Sequence, residues 1–165
     1  MAQIVGIVET ASMADEAIAG LLTAGLGKND ISLLMSDKTK SLFAAAFDNE
    51  STKTAQDTAI GAGAGGVLGA LLAGLTTAGA VLIPGAQLLL VGPMVAAIAG
   101  AGTGAVAGGL IGALTSAGVS IAEASHYEKE LKAGKAIIIA HTRNDAQTQA
   151  ARAVLMSQGA GIRAA

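Results

Sequence analysis

Hydrophobic positions change their spacing several times along the chain. Ile4-Val5-Gly6-Ile7-Val8 is a nearly unbroken β-branched run, the pattern of a buried strand. The spacing then becomes helical: Met13, Ala17, Ile18, Leu21 and Leu22 fall on one face. Ser12 is the predicted opening residue, Asp15 the capping acid, and Gly25 and Gly27 the stop. A second strand is predicted from Asp30 to Met35, followed by a polar connector over 38–57 with a short helix around Leu42 to Phe47. Much later the same grammar returns. Ser120-Ile-Ala-Glu123 fits a capping box and starts a charged helix that ends near Gly134. Ala136 to Ala140 reads as a strand, and Asn144 caps a last helix through Ser157 with Ala150, Ala151, Val154 and Leu155 as its inner stripe. A short final strand is expected near Gly161 to Arg163.

The run Ile4 to Thr10 before the first helix resembles the run Ala136 to Thr142 before the last one. Two strand–helix halves of this kind predict an α+β fold, a ferredoxin-like α/β sandwich, with the helices as right-handed crossovers between parallel neighbours. The sandwich is assigned to residues 1–57 and 119–165, split by an insertion at 58–118.

That boundary comes from charge. All Asp, Glu, Lys, Arg and His residues lie outside the 65 residues from Thr58 to Ala122. Inside this stretch small residues recur at every fourth position: Gly61, Gly65, Gly69 and Ala73, then Ala96, Gly100, Gly104, Gly108 and Gly112. A spacing of four puts each series on one helix face, and a glycine face is a groove into which a second backbone fits. Large residues such as Leu68, Leu72, Ile98, Leu110 and Leu114 lie on other faces. Ile83-Pro84-Gly85 and Gly92-Pro93 punctuate the stretch between the series. The prediction is a long antiparallel Gly/Ala-rich helical hairpin, with helices at about 59–82 and 94–117, each roughly 36 Å long at about 1.5 Å per residue. A bilayer core is about 30 Å thick, so helices of this length suit a membrane as well as the buried centre of a soluble oligomer.

Composition narrows the function. The chain has 165 residues, 52% of them hydrophobic but only 2% aromatic, with no Trp and no Cys. Bulk comes from aliphatic side chains, and 23 glycines favour close backbone approach over large anchors. A net charge of −2 supplies no field for nucleic acid, and the aromatics that stack on single strands are missing. Thiolate metal sites and disulfides are excluded. The start Met-Ala-Gln-Ile-Val-Gly has no basic signal-peptide region, so the expected location is the cytoplasm or the cytoplasmic side of the inner membrane.

Apparent motifs have simpler readings. Gly61-Ala-Gly63-Ala-Gly65-Gly66 contains a formal G-x-G-x-x-G, but no strand precedes it and no acid follows about 20 residues on, so the zipper reading prevails. Gly118-Val-Ser120-Ile-Ala122 is a degraded G-x-S-x-G in which capping accounts for Ser120. His126 is placed on a charged helix facing solvent, and His141 at a polar strand end. Asp15 with Glu16 and Glu128 with Glu130 read as solvated faces with local ion pairs. No nucleophile–base–orienter set is evident, and no catalytic, cofactor or metal residue is assigned.

Residues 5–18, the glycine series, Ile83-Pro-Gly to Val91-Gly-Pro, and Gly118 to Gly134 with Glu123, Tyr127, Glu128 and Leu131 resemble the bacterial general-stress and low-temperature-induced proteins that carry a glycine-zipper insertion. The resemblance covers nearly the whole chain. Gln87-Leu-Leu-Leu departs from it, standing where relatives tend to have a second Gly-Pro-type turn. The resemblance implies a stress-associated role and carries over no catalytic activity and no functional residue. The function expected is therefore non-enzymatic self-association through the glycine hairpin, with membrane lipid as a partner. The alternative is a soluble homo-oligomer with the hairpins in its core. A third reading, a small-ligand regulatory domain, rests on fold analogy alone.

Overall fold

The computed structural model describes residues 2–36, 38–39, 41, 80–83, 88–93, 95, 109–116, 119–158 and 161–164. The elements in chain order are β1 (Ala2–Val8), α1 (Ala11–Thr23), a 3-10 turn (Lys28–Asp30), β2 (Ile31–Ser36), β3 (Ala80–Ile83), β4 (Leu88–Val91), α2 (Gly109–Ser116), α3 (Ile121–Lys132), β5 (Ala136–Thr142), α4 (Asp145–Ser157) and β6 (Gly161–Ala164). The fold is thus mixed α and β. Its strands form one sheet in the order β3-β4-β2-β5-β1-β6, and every neighbouring pair is antiparallel. This differs from the parallel neighbours expected of the two halves. Instead β5 lies between β1 and β2, and β1 between β5 and β6, so the α1 and α4 connections each pass over one strand.

The reason lies in β5. Its run Ala-Ile-Ile-Ile-Ala is apolar on both faces, and such a strand is stable only where both faces are covered. Ala136, Ile138 and Ala140 turn to one side, where Ile4, Val8, Ile31, Leu33 and Met35 join them under Ala14, Ile18 and Leu21 of α1 and Ala151 and Leu155 of α4. Ile137 and Ile139 turn to the other, with Val5, Leu34 and Leu90 under Leu114 of α2 and Tyr127 and Leu131 of α3. The sheet is the middle layer. Ile137, Ile138 and Ile139 are all 0% exposed, and burying each contributes roughly 1.5–3 kcal/mol.

Helix ends follow local chemistry. α1 is capped by Thr10 rather than by Ser12: Thr10 is extended, and its Oγ1 accepts from the Met13 N–H at 3.2 Å. The helix closes with Leu26 N–H on Leu21 O and Gly25 N–H on Leu22 O, and Gly25 takes φ +87°. α3 ends in the same way at Gly134, φ +92°. The Ser120–Glu123 capping box of α3 and the Asn144 cap of α4 form as expected. Thr10→Ala should lower stability by about 1 kcal/mol, and Ser12→Ala by less than about 0.5 kcal/mol. Thermal denaturation of the two variants checks this, and the reverse order would restore Ser12 as the cap.

The largest departure from expectation lies inside 58–118. The helix predicted over 59–82 does not extend to its end, because Ala80–Ile83 is a strand, and Leu88–Val91 is a second. The two pair with each other, and β4 pairs with β2 from Leu33–Val91 to Ser36–Leu88. Ala-Val-Leu-Ile and Leu-Leu-Leu-Val are short aliphatic runs on either side of Pro84-Gly85, a composition that serves a strand at least as well as a helix. β4 leaves the sheet at Gly92, whose φ is +100°. A Cβ there would stand 2.3 Å from Ile31 O and 2.8 Å from Ser32 Cα. Only glycine lets the chain turn this close over β2.

Candidate functional site

Of the predicted packing residues, Gly61, Gly65, Gly69, Ala73, Ala96, Gly100, Gly104 and Gly108 lie outside the described residues, as does the short helix expected around Leu42 to Phe47. Gly112 is described. It sits half-buried in α2, two positions before Leu114. Leu114 is 0% exposed, and Ile111 packs against the same cluster. At about 100° per residue, Gly112 is roughly 200° around the helix from Leu114. Gly112, the described member of the second glycine series, therefore lies on the side of α2 away from the leucine that enters the sheet core. Among the described residues no helix is long and apolar enough to cross a membrane.

Polar chemistry gathers at one end of the sheet. His141 Nε2 lies 3.0 Å from Ser32 Oγ, linking β5 to β2. Arg143 Nη2 donates to Asp30 Oδ1 at 2.7 Å, while Asp30 Oδ2 accepts from the Gly27 N–H at 3.1 Å. Burial pushes the Asp30 carboxyl up, but the hydrogen bonds from Arg143 and Gly27 and the charges of Arg143 and His141 outweigh it and hold the group below its usual 3.8. Burial holds His141 below its usual 6.5, with the Asp30 charge opposing. Sequence reasoning singles out His141 and misses its partners, because they join it only once β2 lies beside β5. The available signal is Ser32, a polar residue set inside the apolar run Ile31 to Met35.

The arrangement is not a hydrolytic triad. Ser32 is 0% exposed, and both Asp30 oxygens are engaged elsewhere than on the imidazole. The other histidine, His126, lies against the Tyr127 ring, 6.1 Å between centroids. Glu128 pairs with Lys132 at 2.7 Å across one helical turn, as the charged face predicts. Lys135 bridges Glu9 and Glu130, each at 2.9 Å, tying the end of β1 to the end of α3. Among the described residues no three or more His, Cys, Asp or Glu side chains are grouped to hold a metal ion.

Comparison with protein-family models, with curated proteins and with solved structures gave no match.

Proposed function

We propose that this chain is a non-enzymatic, self-associating protein in which a ferredoxin-like body presents two glycine-lined helical segments for close packing with other copies. The order β6-β1-β5-β2 with α1 and α4 as connections supports the ferredoxin-like description, extended at one edge by β4 and β3. The observation that carries the functional reading is the placement of α2. Its leucine face packs into the body's own core, while Gly112 lies on the other side of this uncharged helix, the face on which the glycine spacing of the sequence would admit a second backbone. In this reading the two glycine series do not form one continuous hairpin, because the chain between them is stitched to β2 through β4.

That stitching favours the soluble assembly over a membrane-spanning hairpin. The charge-free residues before β3, 58–79, are long enough for one crossing of about 20 residues and not for two. One crossing would deliver β3 to the far side of the bilayer from β2, yet the two strands share a sheet. Residues 93–108, between β4 and α2, meet the same constraint. In detergent-free buffer, light scattering of the full chain should report a multiple of the 16.0 kDa protomer. A stable monomer would sink the reading, and a carbonate-resistant membrane fraction would return the spanning alternative.

A further inference from the structure

The backbone ladder between β2 and β5 stops at Ile31–Ala140. Beyond that pair the strands stay joined by side chains: His141 to Ser32 at 3.0 Å, then Arg143 to Asp30 at 2.7 Å. Ser32 is buried and His141 half-buried. From β1 the residue opposite His141 is the uncharged Gln3. From the 3-10 turn comes Asp30, the charge that acts on the imidazole among the described residues. Arg143, just past the end of β5, is held by that same Asp30. On this face of the sheet α2 has no titratable residue, and no charged side chain of α3 acts on His141.

The cluster also lies next to the end of β4, since Gly92, the residue after it, approaches Ile31 O and Ser32 Cα too closely for any side chain. A neutral imidazole suits this place. Its Nε2 can accept from or donate to the Ser32 hydroxyl. An imidazolium can only donate, and it brings a charge to a half-buried site whose one nearby carboxylate is already paired.

We propose that His141, Ser32, Asp30 and Arg143 form an acid-sensitive latch that holds β2, and β4 through it, to β5, and that loosens when the imidazole takes up a proton. The direction follows from linkage. The folded state holds His141 below its usual 6.5, so the unfolded chain binds more protons as pH falls past that value. The latch's contribution is complete above it and is lost as pH drops through it toward the folded value. Each unit of depression is worth a tenfold loss in the folding constant.

The test is thermal denaturation from about pH 7.5 to about pH 5 for the full chain, His141→Gln and His126→Gln. The full chain and His126→Gln should lose stability on acidification more steeply than His141→Gln. Equal slopes for all three would overturn the latch. Should His141→Gln fail to fold, NMR titration of the unaltered chain decides: a His141 midpoint below 6.5 sustains the proposal, and one at or above it removes it. Hydrogen exchange supplies the local readout. On acidification, after correction for intrinsic rates, amides of β2 and β4 should lose protection before those of β1. Uniform loss across the sheet would mean that no latch exists.

Discussion

Gly92→Ala is expected to destabilise the fold by roughly 2–5 kcal/mol, combining backbone strain with overpacking. The position is closed in two independent ways. Its φ of +100° lies where L side chains are strained. The added methyl would also meet Ile31 O at 2.3 Å and Ile31 C at 3.1 Å, backbone atoms held by the β2–β5 ladder that cannot swing aside. Gly25 and Gly134 separate the two effects. Their φ values are +87° and +92°, but a Cβ at either position would have nothing within 4 Å. Gly25→Ala and Gly134→Ala should therefore cost only the strain, roughly 1–2 kcal/mol each. Urea unfolding of the three variants checks the ranking. Gly92→Ala costing no more than Gly25→Ala would mean that β4 does not turn over β2.

The same region shows where sequence reading stops. β1, β2, β5, α1, α3 and α4 are legible because each helix carries a periodic stripe with a boundary signal, such as Ser120 with Glu123 or Asn144 before α4, and each strand an aliphatic run set off by charged or polar residues. The cap of α1 lies two residues before the expected one, since Thr10 and Ser12 are chemically equivalent and only the extended backbone at Thr10 separates them. β3 disappears into the end of the helix expected over 59–82, and β4 into the connection expected between the two helices. Four aliphatic residues have no period of their own, and the uniform apolar surroundings hide the change. Pro84-Gly85 marks a break, but a break between two helices and one between two strands look alike in sequence. The order of strands decides the rest. Ser32 and His141 are 109 positions apart, and nothing local to either predicts that they touch.

Two substitutions on α2 should part the body's stability from the proposed self-association. Leu114 is 0% exposed and packs with Leu34, Leu90 and Tyr127, so Leu114→Ala should leave a cavity and lower the unfolding free energy by about 2–5 kcal/mol. The size of the assembly should survive, because the opposite face of the helix is unchanged. Gly112→Leu acts from the other side. An isobutyl group there removes the close approach that a glycine face allows, at an overpacking cost of about 1–3 kcal/mol. Its effect should appear as a smaller mass in light scattering, while circular dichroism of the α/β body is retained. Gly104→Leu, at the centre of the same series, should act in the same direction, and Gly104→Ala more mildly. The expected contrast rests on geometry: two residues on one turn, facing opposite ways, with one expected to act on stability and the other on the proposed association. If Gly112→Leu and Gly104→Leu both leave the mass unchanged, the glycine spacing is compositional, and self-association through it has no remaining support.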